Sequence, residues 1–389
     1  MRTDVHIVEV HKSVAFEWKT IRATCAEIDL EAIQHNFRQV RHRIGNGVKI
    51  MAVVKANAYG HGVLETTSAL LKAGTDYLGV AILDEAVYLR EHGIESPILV
   101  FSPPFSDQAE SFLDCKVDAT VCTVEAADIL NALSSKRGRS ANVHVKIDTG
   151  MGRLGVDYRQ SVEFVKYVSS LNNLTLKGIY THFATADEAD KSFAQLQLTR
   201  FHEVVTTLTN TGVRIPLKHC ANSGAILDLK DSYFDMVRPG IMLYGYYPSH
   251  DTSESLPLRP ALSLRSRIGF LKKVEAGTSI SYGRKYITSR TTTIASVPIG
   301  YADGFNRNLS NKAEAIIGGR RYPVVGTVCM DHVMLDVGSS GAAKLGDDVT
   351  FIGIDGDEMI TAWDVADKLG TIPYEICCAI SERVPRFYL

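Results

Sequence analysis

The sequence predicts an α/β protein, a (β/α)8 TIM-like barrel followed by a C-terminal mainly-β domain, and three observations carry the prediction. From Ile50 to about Gly245, eight short β-rich runs alternate with amphipathic helical stretches, the pattern that builds a parallel sheet with helices outside it. Beyond about residue 258 the helical pattern thins, and strand-like segments broken by Gly, Asp and Asn replace it. The 389 residues suit two domains, one of which has room for a barrel of about 250 residues. A doubly wound open sheet is the alternative topology for the first half.

In chain order, residues 1–20 read as an N-terminal extension: VHIVEVHKSV alternates like a strand, but nothing in it points to chemistry. The barrel domain is read over 21–258, with strands at 49–54, 77–81, 98–101, 119–122, 143–147, 176–181, 217–220 and 234–237. Between them GVLETTSALLKAG, DEAVYLREHG and KSFAQLQLTRFHEVVTTLTNTG are amphipathic, and several such stretches end on the glycine that commonly caps a helix C-terminus. The polar, proline-containing YYPSHDTSESLPLRP reads as a linker. A C-terminal β domain is read over 259–389, from segments such as ALSLRSRIGFLKKV, RTTTIASVPIG and DDVTFIGI, with TAWDVADKLG as one late helix.

Composition narrows the function. Hydrophobic residues at 45% and charged residues at 22% are globular values. A formal net charge of −2 creates no field that would attract nucleic acid or an anionic membrane. No apolar run approaches the length needed to cross a bilayer, and charges punctuate the N-terminus where a signal peptide needs an apolar stretch, so a cytoplasmic location is expected. Seven cysteines, an odd number with no CxxC pair and no zinc-site spacing, read as reduced thiols, mostly in the core. No metal is expected.

Reactive groups of such a barrel sit at the C-terminal ends of its strands, so the residues after each run are informative. The first run ends on Lys55, which begins a small, flexible turn containing Tyr59. A lysine at the mouth of an apolar strand is costly to bury unless neutral or covalently used, which makes Lys55 a candidate Schiff-base former; a snorkelling lysine is the plainer explanation. The fifth run leads into HVKIDTGMGRLG, with Lys146, Asp148 and Arg153, and the sixth into YTHFATADE, with His182. The seventh leads into HCANSGA, with Asn222 and Ser223, and the eighth into VRPGIMLYG, with Arg238, Gly240 and Ile241.

The small and hydroxyl residues after the last two strands suit a phosphate, because backbone N–H groups approach it closely only where side chains are small. A lysine for an imine plus a phosphate cradle points to pyridoxal 5'-phosphate. Arg238 would then face the ring nitrogen and, being permanently protonated, keep it from gaining a proton. A salt bridge at a domain junction is its plainer role. His182 is read as orienting Arg238, against the plainer reading of a hydrogen-bonded core histidine. Lys146 and Asp148 alternate along a strand, so a charge directed into the barrel must find a partner.

Taken together, AVVKANAYGHG, KIDTGMGRLG, YTHFATADE, HCANSGA, VRPGIMLYG, SISYGRKY, PIGYADGFNR, VVGTVCMDHVMLDVG and PYEICCAISERVPR resemble the alanine racemase family, in its order, from about residue 24 to 387. The resemblance implies pyridoxal phosphate on Lys55, a head-to-tail homodimer with shared active sites, and interconversion of L- and D-alanine, which supplies bacterial peptidoglycan. It implies phosphate contacts from Tyr59, Ser223, Gly240, Ile241 and Tyr374 with Asn222 nearby, and Arg238 on the ring nitrogen with His182 behind it. It further implies that Arg153 and the Met330 backbone hold the substrate carboxylate and that Lys146, often carbamylated in the family, buttresses Arg153. Asp187, Tyr301, Arg307 and Ile372 match positions lining the access corridor.

Racemisation needs a base on each face of the substrate α-carbon. The resemblance assigns Lys55 to one face and Tyr282, reaching in from the partner subunit, to the other. One departure stands out: Gly326-Thr327-Val328 occupies the place where many family members carry Gly-Arg-Val, removing a cation from the corridor. Tyr374 is kept where serine-preferring relatives tend to be smaller, which favours alanine. The alternatives are a broader amino-acid racemase, a fold-related decarboxylase, which typically pairs the ring nitrogen with an acid, and a non-catalytic pyridoxal phosphate carrier, which generally lacks a second domain.

Overall fold

The computed structural model describes residues 22–389; the strand alternation read in 1–20 lies outside the described residues. Eight strands form the barrel: β1 (Lys49–Val53), β2 (Tyr77–Val80), β3 (Ile98–Val100), β4 (Asp118–Val121), β5 (Ala141–Asp148), β6 (Leu174–Tyr180), β7 (Leu217–His219) and β8 (Met236–Val237). They pair in parallel in that order, and β8 pairs with β1. Bonds from Asp235 N to Lys218 O (3.1 Å) and from Arg238 N to Ala221 O (2.8 Å) draw β7 and β8 together and complete the ring. Every run read as a barrel strand is one.

The local reasons are visible at the helix ends. Asp29 accepts from Ala32 N at 2.8 Å and starts the helix Leu30–Ile44, and Thr123 caps Val124–Arg137 in the same way, each satisfying an N–H with no partner inside its helix. Ile50, Met51, Ala52 and Val54 are fully buried, so Lys55 emerges from the most apolar part of the chain. No helix among the described residues is long and apolar enough to cross a membrane.

The strand Cys25–Ile28, inside the stretch read as barrel, belongs to another sheet. It runs antiparallel to Leu262–Arg267 and parallel to Arg386–Tyr388, so both ends of the described chain knit into the C-terminal β domain. The alternating exposure of Cys25, Ala26, Glu27 and Ile28 fits a half-covered strand, whereas barrel strands are buried on both faces. A second sheet of Phe270–Val274, Thr292–Val297 and Val333–Gly338 lies in the same domain. All seven cysteines are free, but only Cys220 and Cys377 are fully buried and Cys378 is exposed; "mostly core" describes two of them.

The turn after β1 is not the flexible segment the small residues suggest. Ala56, Asn57, Ala58 and Tyr59 all sit at φ 53°, a left-handed helical turn that costs about 1–2 kcal/mol per non-glycine residue. Tertiary contacts impose it. Glu85 accepts from Ala56 N at 2.5 Å and from Ala81 N at 2.7 Å, while Asn57 Oδ1 accepts from Val63 N at 2.8 Å.

Candidate active site

The barrel mouth opens into a cavity of about 550 Å³ lined by Lys55, Tyr59, Lys146, Arg153, His182, Asp187, Asn222, Ser223, Arg238, Gly240, Ile241, Ile372 and Tyr374. Strand ends separated by more than 180 residues in sequence, from Val53 to Val237, thus converge, because parallel strands all deliver their C-terminal ends to one rim. Burial, then the charge of Arg153, pushes the Lys55 ammonium below its ordinary 10.5. A neutral amine is the nucleophilic form.

Lys146 is buried on the inward face of β5 and faces the rings and guanidinium groups around it: its Nζ lies 5.5 Å from the Tyr180 ring. Burial and the nearby charges of Arg153 and Arg238 push it down to about 8. Asp148 does something different. Its carboxylate accepts from Gly150 N (2.9 Å) and Gly152 N (3.0 Å), shaping the loop that presents Arg153.

Opposite these cations, Ser223 Oγ accepts from Gly240 N at 2.9 Å. A Cβ on Gly240 would stand 2.5 Å from the Tyr59 hydroxyl, so only glycine leaves room there. The Tyr59 and Tyr374 rings meet at 5.9 Å on the same side. Asn222 is occupied elsewhere, accepting from Ala225 N at 3.0 Å as the cap of the short helix Ser223–Asp228.

Arg238 is 3% exposed, and burial lowers it only to about 10, so it remains a cation. Its guanidinium donates to Thr181 O (2.6 Å), Cys220 O (3.1 Å) and His219 Nδ1 (2.9 Å), while His182 Nδ1 is 3.4 Å away. The imidazole nearest Arg238 is therefore His219, which sequence reasoning passed over inside HCANSGA. A polar residue closing a buried strand was the signal. Glu85, which braces the Lys55 turn, was also missed; it accepts from Ala81 N and Ile82 N at its helix start, but the N-cap Ile82 has no hydroxyl, so no capping-box sequence marked it.

Four expected site residues do not line this cavity: Tyr282, Met330, Tyr301 and Arg307. They share one face of the β domain. Tyr282 is 71% exposed, Met330 52% and Tyr301 41%. Thr327 Oγ1 donates to Tyr282 O at 2.7 Å, and Ser281 Oγ returns a bond to Thr327 O at 2.6 Å. Tyr301 N donates to Cys329 O at 3.0 Å, and Val328 N donates to Ser310 Oγ, which bonds Arg307 O at 2.6 Å. Thr327 is thus buried beneath Tyr282.

Fold and cavity define the class: a two-domain barrel enzyme in which a lysine amine with lowered proton affinity follows the first strand. Family models for the alanine racemase N-terminal and C-terminal domains match residues 28–248 and 261–388. The chain belongs to the alanine racemase family. It is 47% identical to alanine racemase 2 of Caldanaerobacter subterraneus subsp. tengcongensis, over 95% of each chain. It is 48% identical to alanine racemase of Halothermothrix orenii, over 94% of this chain and 97% of that one. Alanine racemase of Clostridium difficile 630 superposes with a TM-score of 0.91 at 41% identity, covering 95% of this chain and 97% of that one.

Proposed function

We infer that this enzyme interconverts L- and D-alanine, using pyridoxal phosphate carried on Lys55. The observation that carries the reading is the cavity, where a depressed lysine amine, a glycine-serine-tyrosine cradle and a buried guanidinium meet. The residues fit the group. With no side chain at Gly240, where a Cβ would collide with the Tyr59 hydroxyl, that hydroxyl closes on the Ser223–Gly240 backbone, a small-residue cradle that suits a phosphate. When bound, pyridoxal phosphate supplies an aldehyde that captures amines and a ring that acidifies the attached Cα–H bond.

The chain's own groups do the rest. Tyr59, Ser223, Gly240, Ile241 and Tyr374, with Asn222 alongside, would hold the phosphate; Arg238, kept cationic, would face the ring nitrogen. Arg153 at the rim and the Met330 N–H would fix the substrate carboxylate. Lys55 Nζ would exchange the α-proton on one face and Tyr282 Oη on the other. The 71% exposure of Tyr282 suits it to enter the cavity of a second copy, which supports a homodimer with shared sites. Asp187, Ile372, Tyr301 and Arg307 would then flank the access corridor.

Lys146, buried among cations and lowered to about 8, is poised for carbamylation, which would turn a repelling neighbour of Arg153 into an anionic support. Supply of D-alanine for peptidoglycan in the cytoplasm is the role this activity fits. The test is borohydride reduction of the purified protein followed by peptide mapping, with optical inversion assayed on alanine and serine. A pyridoxyl group at Lys55 and preference for alanine are expected; an unmodified Lys55 sinks the reading.

A further inference from the structure

A line of polar side chains runs from the cavity floor to the closed end of the barrel. Arg238 follows β8, His219 ends β7, His144 lies midway along β5 and Asp118 begins β4. None is more than 3% exposed. Arg238 Nη1 is 2.9 Å from His219 Nδ1, His219 Nε2 is 3.0 Å from His144 Nδ1, and His144 Nε2 is 3.4 Å from Asp118 Oδ2. His144 Nε2 has no hydrogen-bond partner, so its 3.4 Å approach to Asp118 is a close charge–dipole contact. Asp118 also accepts from Tyr77 Oη (2.5 Å) and Asn142 Nδ2 (2.9 Å).

The chemistry of the two ends fixes every proton between them. A guanidinium only donates, so His219 Nδ1 must offer its lone pair. Burial and the charge of Arg238 keep His219 neutral. Its single proton therefore sits on Nε2 and points to His144 Nδ1. By the same reasoning His144 carries its proton on Nε2, the nitrogen 3.4 Å from the Asp118 carboxylate. A cation and an anion thus flank two rings whose hydrogen-bonding protons point the same way, an arrangement in which neighbouring dipoles reinforce one another.

The surrounding chain is shaped for it. The Tyr180 ring stacks on His219 at 4.8 Å with 5° between planes. A Cβ at Gly178 would stand 2.7 Å from His144 Nδ1 and 2.6 Å from Leu217 O, so glycine keeps the place open for the ring. The register of β5 against β6 shifts between Val143 and His144, at that same point.

We propose that Asp118 is a positioning residue for Arg238, acting through His144 and His219 to hold the guanidinium charged and aimed into the cavity. The inference rests on the reading that Arg238 serves the bound cofactor. Asp118 is far from the cavity rim, and its charge acts across the 3.4 Å contact with His144 and then through the two oriented hydrogen bonds beyond it. Removing its charge weakens the acceptor that Arg238 sees two rings away.

The experiment uses the holoenzyme with 15N-labelled histidine. In the unaltered protein at neutral pH, His144 and His219 are expected as Nε2–H tautomers; a proton on His219 Nδ1 overturns the proposal without any substitution. In Asp118→Asn, the His219 resonances are expected to shift although the ring does not touch residue 118. Turnover is expected to fall about tenfold, the scale of one charge-assisted hydrogen bond, with KM changed less than about twofold. His144→Phe, which cuts the line but leaves Asp118 in place, is expected to reproduce the fall in turnover. Unmoved His219 resonances in Asp118→Asn overturn the line. Moved resonances with full turnover leave the line standing and remove the role assigned to Arg238, which separates the two readings.

Discussion

The barrel mouth and the exposed face of the β domain solve opposite problems with similar residues. At the mouth, Lys55, Lys146, Arg153 and Arg238 crowd together, and burial works against every charge that faces inward. On the β face, Tyr282, Met330 and Tyr301 are open to solvent, held by backbone hydrogen bonds and by the buried Thr327. The mouth has reactive groups at perturbed proton affinities; the β face has positioned groups with nothing to act on. Each supplies what the other lacks, which is the physical argument for two copies meeting face to mouth.

Lys55→Ala should have the largest effect, a loss of about 10^4-fold or more in turnover together with the borohydride-trapped adduct, read by racemisation rate and mass spectrometry. Tyr282→Phe should cost about 10^3-fold while the cofactor absorbance stays. Mixing and reassociating these two inactive variants tests the division of labour. If each site draws on both copies, about a quarter of the unaltered rate should return, since about half the dimers are mixed and each holds one intact site. No recovery would put both groups in one chain.

Gly240→Ala should weaken cofactor affinity about tenfold or more, measured by fluorescence titration of the apoprotein, because the new methyl must displace the Tyr59 hydroxyl. Thr327→Val removes a single bond to the Tyr282 carbonyl and should lower turnover about fivefold, with Thr327→Ser restoring it. The smallest effect is on stability. Lys146 binds its proton less readily folded, at about 8, than unfolded, at 10.5. Stability should therefore rise as pH increases from about 8 to about 10.5, and Lys146→Met should flatten that slope in melting curves recorded without carbon dioxide.

The barrel was legible because strands buried on both faces read as apolar runs, and the rim residues because each follows such a run. Cys25–Ile28 was misplaced since its partners lie more than 230 residues away, beyond any local pattern. Lys-Ala-Asn-Ala-Tyr consists largely of residues compatible with an ordinary helix, so its left-handed geometry, set by Glu85 and Asn57, left no local mark. Thr327 read as a missing cation; only its burial and its bond to Tyr282 show a different duty. His219 and Asp118 belong to a line assembled from four barrel strands, which no single motif contains.

The mirror-handed turn at residues 56–59 has a practical corollary for anyone tuning this enzyme's endurance. Glycine at the exposed Ala56 would relieve local conformational energy, by about 1 kcal/mol, and so favour heat tolerance, whereas at Ala58 the loss of a fully buried methyl offsets that gain. The change at Ala56 would also loosen the tether beside Lys55. Improvement of thermal robustness and retention of rate should therefore part company at Ala56.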